Sequence, residues 1–208
     1  MTLRVLLTGF EPFGGEPINP SWELVRTVAA EAPPHDDLLL FSACLPVDQA
    51  RYRAALAQAV EQHRPHVVLA IGQATGRPTI QLERVAHNRL EYKGAMDNGG
   101  HVIDGRTLHG DAAETLDANL PLAALCAQLQ SGGHGVTVSA DAGRYLCNAV
   151  LFELRHVHCD LPAAFIHIPL LPEQATRRDL GEPSMEASLT RACLRDLLCA
   201  VVALDGDA

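Results

Sequence analysis

The sequence predicts a single-domain α/β protein: a three-layer α/β/α sandwich around a mainly parallel, mixed sheet. Three observations carry this reading. Short Leu- and Val-rich runs alternate along the chain with longer segments whose apolar residues recur at helical spacing. Such alternation is what a sheet covered by helices on both faces requires. The chain has 208 residues, 48% of them hydrophobic, so one core can bury roughly 70% of the unfolded surface. No repeat, low-complexity tract or linker divides it, and residues 1–208 read as one domain.

Leu3–Thr8 is the expected first strand and Gly9–Gly15 a loop. Asn19 is placed to cap a helix, with Pro20 in its first turn and Glu23 as an early acid. Leu38–Leu45 reads as the second strand. Asp48 is expected to cap a helix running to His63, with Tyr52, Leu56, Ala59 and Val60 along its apolar stripe. His66–Ile71, ended by Gly72, and Ile80–Ala86 are the next two strands. From 88 to 119 periodicity disappears, and Gly94, Gly99, Gly100, Gly105 and Gly110 mark loops or a hairpin turning at Asn98-Gly99. A segment of that length inside a compact domain points to a site or an interface. Pro121–Gln130 and Leu146–His156 read as helices, Val136–Ala140 and Ala163–Ile168 as strands. Ser184 is expected to cap a final helix reaching about Leu204.

Composition excludes several function classes. A net charge of −9 argues against binding nucleic acid or an anionic membrane surface. No window approaches the ~18 apolar residues of a membrane span, and the apolar run at Leu3–Leu7 is too short for a signal peptide, so a cytoplasmic location is expected. The six cysteines form no CxxC pair and read as small apolar residues rather than a disulfide framework.

Nucleotide binding fails on motif. Gly9-Phe10-Glu11-Pro12-Phe13-Gly14-Gly15 follows the first strand, but it has neither a GK[ST] ending nor GxGxxG spacing, and Glu11 would repel phosphate. Gly72-Gln73-Ala74-Thr75-Gly76-Arg77 has no fingerprint spacing either. His156-Val157-His158-Cys159 offers metal-ligand types, yet adjacent residues at a helix end point in different directions and no second cluster lies nearby in the chain. These histidines are expected to be solvated, and no metal or cofactor is expected.

Cys147 stands apart from the other cysteines. It follows the Asp141-Ala142-Gly143 turn at the start of a predicted helix. There the positive end of the helix dipole favours a thiolate, and unpaired N–H groups can stabilise an oxyanion. Placement leaves a buried structural cysteine equally open. His167 lies near the C-terminal end of its strand, the end at which open α/β sheets bind ligands, although a core histidine is the other reading. Glu83 is an acid in a strand-like segment that a surface pairing with Arg84 or Arg77 would also explain. Nucleophile, imidazole and orienting acid are together the parts of a thiol hydrolase.

Five ordered blocks resemble the pyroglutamyl peptidase I family: Gly9–Gly15 with Asn19-Pro20-Ser21-Trp22-Glu23, then Gly72-Gln73-Ala74, Glu83-Arg84-Val85-Ala86, Leu146-Cys147-Asn148 and Phe165–Gln174. The resemblance implies Cys147 as nucleophile, His167 as base and Glu83 as acid. It further implies a cofactor-free cytosolic enzyme, usually a homotetramer, that removes N-terminal pyroglutamate from peptides. Phe10 and Phe13 are candidates to flank the lactam ring, Tyr145 matches an aromatic position of the family, and the backbone at Gln73 is implied to receive the lactam. One stretch departs. Where the family usually has Arg-Ile-Pro-Asp-Asn, this chain has Lys93-Gly94-Ala95-Met96-Asp97-Asn98, one residue longer. Lys93 stands at the Arg position counted forward from Glu83, and Gly94 counted back from Asp97-Asn98. Lysine supplies a point charge without the planar fork. Thr75, where the family often has Gly, is a smaller departure. Asp97 is the reserve candidate for orienting the imidazole. The divergent loop leaves open a same-fold enzyme for another small acyl group, and a non-catalytic binding relative is the second alternative.

Overall fold

The computed structural model describes residues 2–178 and 181–206. In chain order its elements begin with β1 (Leu3–Phe10), α1 (Pro20–Ala30), β2 (Leu38–Leu45), α2 (Tyr52–His63) and β3 (Val67–Gln73). Next come β4 (Ile80–Glu83), β5 (Val85–His87), β6 (Thr115–Asp117), α3 (Leu122–Ser131) and β7 (Val136–Ser139). The chain continues through α4 (Leu146–His156), β8 (Ala163–Ile168), α5 (Pro172–Arg178) and α6 (Ala187–Gly206). The main sheet is ordered β2-β1-β3-β8-β4-β7, and every neighbouring pair is parallel except β8–β4.

Strand alternation divides the core in two. Leu3, Val5 and Leu7 of β1 face the layer formed by α1, α3 and α6, while Leu6 and Phe10 face α2, α4 and buried residues of the 88–119 segment (Leu90, Tyr92, Leu108). The expected α/β/α sandwich with a mixed sheet is what forms.

Several boundaries differ from expectation, each for a local reason. β3 does not end at Gly72; it runs on to Gln73, and Gly72 pairs with His167 of β8. The expected Ile80–Ala86 strand is two strands. At Arg84 the chain leaves the main sheet, its N–H bonding the Ser139 carbonyl and its carbonyl accepting from Ala118, and β5 pairs with β6 in a separate two-stranded sheet. The 88–119 segment is therefore a long irregular hairpin: β5–β6 closes its base, an isolated Leu90–Arg106 bridge follows, and it turns at Asn98-Gly99. Asp48 does not cap α2 directly. Its carboxylate accepts from Ala50 N–H and its carbonyl from Tyr52 N–H, so it caps a turn just before the helix. Ser184 forms a parallel bridge with Leu170 instead of capping α6. Helix α5 was not expected, although Pro172 and Glu173 carry ordinary helix-start chemistry.

A close approach couples β1 to α1. A Cβ built on Gly9 would lie 2.7 Å from the Trp22 Cα and 2.8 Å from the Ser21 carbonyl carbon, both backbone atoms. Gly9→Ala is expected to destabilise the fold by about 1–3 kcal/mol through overpacking, read as a lower urea midpoint. An unchanged midpoint would show that the helix has room to withdraw.

Candidate active site

β8 and β4 bring two ionisable side chains to one face of the sheet. Along β8, Ala163 and Phe165 point to the α2/α4 side, and His167 follows them by the two-residue period. β4 runs antiparallel to β8, with Glu83 opposite Phe165 and Gln81 opposite His167, so Glu83 and His167 are diagonal neighbours on that face. His167 Nδ1 lies 2.8 Å from Glu83 Oε1, with His167 5% exposed and Glu83 fully enclosed.

Cys147 reaches the same place from the other layer. The turn before α4 uses Gly143 at φ +77, and Tyr145 is extended at the helix entrance. The first hydrogen bond closing the helix runs from Ala149 N–H to Tyr145, leaving the N–H groups of Leu146, Cys147 and Asn148 without intrahelical partners. Cys147 is half-buried, and it lines the same small cavity as His167. Burial opposes a charge on His167, but the Cys147 sulfur and the Glu83 carboxylate outweigh it and push the pKa up to about 9.

Gly72 makes this meeting possible. A Cβ there would lie 2.7 Å from the Phe165 Cζ and 2.9 Å from the Cys147 Sγ. Asn148, fully buried, holds the other side of the helix entrance: its carboxamide accepts from His87 N–H and donates to the His87 and Arg89 carbonyls.

Beside the sulfur is a cavity of about 130 Å³ lined by Phe10, Phe13, Asn19, Val47, Gln73, Ala142, Tyr145, Leu146, Cys147 and His167. Cavities of about 150 Å³ hold a benzene ring, so this one suits a single small ring. Among the described residues, no carboxylate or lysine lines it. Phe10, Phe13, Gln73 and Tyr145, singled out in the sequence, all line the cavity. From sequence, Asn19 is a helix cap and, with Leu146, part of the family blocks, but neither these two nor Val47 or Ala142 is a candidate for the pocket. Asn19 does cap α1, accepting from Ser21 N–H, and it also donates to the Glu11 carbonyl.

The divergent loop does not line the cavity but is tied to residues at its edge. Tyr145 OH donates to the Met96 carbonyl at 3.3 Å, and Asn98 donates to Glu11 Oε1 and the Pro12 carbonyl. Lys93 is exposed in a tight turn at φ +49 and is not among the cavity's lining residues. Asp97 does not orient the imidazole. Its carboxylate accepts from Gln49 N–H, His101 N–H and His101 Nδ1. Burial works against its charge, but these donors prevail and hold its pKa below the ordinary value.

His167 carries a folded-state pKa near 9 against an ordinary value of about 6.5, equivalent to at most about 3 kcal/mol. A raised pKa adds stability that is complete below about pH 6.5 and lost as pH rises through 9. The urea unfolding free energy is expected to fall across that window. The slope should flatten in Cys147→Ala and in Glu83→Gln, and equal slopes in all three proteins would show that another group titrates.

The profile of the pyroglutamyl peptidase family matches residues 3–204. A pyrrolidone-carboxylate peptidase of Vibrio vulnificus is 42% identical over 187 residues, covering 88% of this chain and 86% of the relative. That of Thermococcus onnurineus is 37% identical over 187 residues, covering 88% and 90%. Among solved structures, a mutant pyrrolidone carboxyl peptidase of Pyrococcus furiosus matches with a TM-score of 0.88 at 29% identity, covering 99% of this chain and 100% of that one. The pyroglutamyl peptidase I of Bacillus amyloliquefaciens matches with a TM-score of 0.86 at 32% identity, covering 94% and 92%. With the profile matched from β1 to α6 and a Cys-His-Glu cluster beside a ring-sized cavity, the chain belongs to the pyroglutamyl peptidase family.

Proposed function

We propose that this protein is a cysteine omega-peptidase that removes N-terminal pyroglutamate from peptides, with Cys147 as nucleophile, His167 as acid and base, and Glu83 as the group that orients it. One observation carries the reading: a half-buried sulfur at a helix N-terminus shares a small cavity with a carboxylate-bound imidazole, and no carboxylate or lysine among the described residues lines that cavity. Pyroglutamate is a neutral lactam. A free N-terminal amine would enter as an ammonium and find no counter-ion there.

The cluster accounts for each step. The Cys147 sulfur forms a bond to the carbonyl carbon that joins pyroglutamate to the next residue. The N–H groups at the start of α4 stabilise the oxyanion. Glu83 holds Nδ1, so Nε2 is the nitrogen left for the sulfur and the leaving group. A pKa near 9 keeps His167 protonated at neutral pH, ready to give its proton to the departing amine as the C–N bond breaks. His167 then takes a proton from water, whose oxygen attacks the thioester and expels the sulfur. No metal or cofactor enters this sequence of steps.

The loop change at Lys93–Met96 does not redirect the specificity in this reading. The contacts tying the loop to Tyr145 and Pro12 are made by the Met96 carbonyl and by Asn98, and Asn98 belongs to the part of the motif this chain retains. We assign the enzyme to the cytoplasm, where its six free thiols stay reduced, and to the homotetramer that the family resemblance implies. No described helix is long and apolar enough to cross a membrane.

Cys147→Ser is expected to abolish hydrolysis of a fluorogenic pyroglutamyl amide, while Cys193→Ser, in the core between the helices, stays near the unaltered rate. Full activity in the Cys147 variant would remove the nucleophile assignment. Prolyl and glutaminyl amides are expected to be cleaved at least about 100-fold less efficiently than the pyroglutamyl amide. Equal efficiency would favour the enzyme for another acyl group, and no release of pyroglutamate at all would favour the binding relative.

A further inference from the structure

At the far end of α4 from Cys147, about 13 Å along the helix axis, a second set of chemically able side chains comes together. His109 and Asp111 arrive from the 88–119 hairpin and His156 from the last turn of α4, each offering one donor atom, all within 4.8 Å of one another. The two imidazole rings lie 4.3 Å apart between centroids. From sequence, His156 was expected to be solvated because no second cluster lies near it in the chain; folding supplies that cluster from some 45 residues upstream.

The arrangement around His109 is that of a prepared ligand. Its Nε2 lies 2.9 Å from Glu153 Oε1. Glu153 is buried and is itself held by Arg53 Nε at 2.6 Å and by the Tyr52 hydroxyl. A carboxylate that binds one ring nitrogen fixes the tautomer and leaves the other nitrogen with its lone pair, which is how metal-binding histidines are commonly supported. The backbone of His109 is pinned on both sides by Asn88, which accepts from its N–H and donates to its carbonyl. By contrast, among the described residues the Asp111 carboxylate and the His156 ring take part in none of the side-chain hydrogen bonds or ion pairs around this site. Neither is held by a side-chain hydrogen bond that an ion would have to displace, although the His156 ring packs on His109 and Phe152. The negative end of the α4 dipole also favours a cation here.

We propose that His109, Asp111 and His156 bind a divalent transition-metal ion, with Zn²⁺ the best match to two imidazoles and one carboxylate and water completing a tetrahedron. Tetrahedral ligands at 2.0–2.2 Å stand about 3.4 Å apart, so binding draws the three donors closer than they now lie, through the two unpartnered side chains. The ion would tie the base of the hairpin to α4. The tip of that same hairpin accepts a hydrogen bond from Tyr145, which lines the cavity, so the site is a structural clamp remote from the chemistry.

The test uses the full chain carrying Cys147→Ser, which removes the thiol of the proposed catalytic site, with Zn²⁺ alone as titrant and equilibrium dialysis as readout; a cobalt spectrum reports on the remaining thiols. One ion per chain is expected, together with a rise in melting temperature. His156→Ala is expected to weaken binding at least tenfold and to abolish the rise in melting temperature on adding Zn²⁺, measured against its own metal-free value because the ring also packs on His109 and Phe152. Co²⁺ at the same site is expected to show visible absorption bands without a thiolate-to-cobalt charge-transfer band. The proposal is overturned if the Cys147→Ser chain binds no stoichiometric Zn²⁺, if His156→Ala binds as tightly as its parent, or if Co²⁺ reports sulfur ligation. These outcomes are independent of peptidase activity, so failure here leaves the proposed hydrolysis standing.

Discussion

A carboxylate sealed inside a protein is costly unless a cation or several donors face it. Glu83 is fully enclosed, and among the described residues only one of its oxygens is engaged, by His167. That contact exists because β4 enters the sheet antiparallel to β8, which sets Glu83 one diagonal step from His167 on the same face. A one-residue slip would turn one of the two side chains into the opposite layer among leucines and isoleucines. The register of the β4–β8 junction thus determines whether the imidazole is oriented.

The sulfur depends on a different constraint. α4 packs on the sheet with Leu146, Ala149, Val150 and Phe152 in the core, which brings its N-terminus down onto β3 and β8. The approach is close enough that β3 carries no side chain at the point of contact, where Gly72 stands. Charge and packing are linked there: the same short distance that excludes a Cβ lets the sulfur help raise the pKa of His167.

The pocket shows how a motif can change while a site persists. The divergent loop differs in sequence from the usual family pattern at Lys93–Met96, yet what anchors it is a carbonyl, an asparagine and the buried Asp97 carboxylate. Backbone groups exist at every residue, so side-chain exchanges on the exposed edge leave those anchors in place.

Strand and helix identities were largely legible in the chain because they rest on local periodicity and capping: β2, α4 and β8 have the bounds their patterns imply. Cys147 was singled out by the turn and helix around it, and Phe10, Phe13, Gln73 and Tyr145 by motif. What the chain could not express by itself depends on atoms far apart in sequence. The split of Ile80–Ala86 at Arg84 is set by hydrogen bonds to Ser139 and Ala118. The choice of Glu83 over Asp97 as partner of His167 is set by strand pairing across 84 residues. The exposure of Lys93 and the approach of His109 and Asp111 to His156 follow from how the long hairpin lies against α4. Local sequence determines backbone shape and which face is apolar; only tertiary packing decides which polar groups meet, because that is a matter of distance between separate elements.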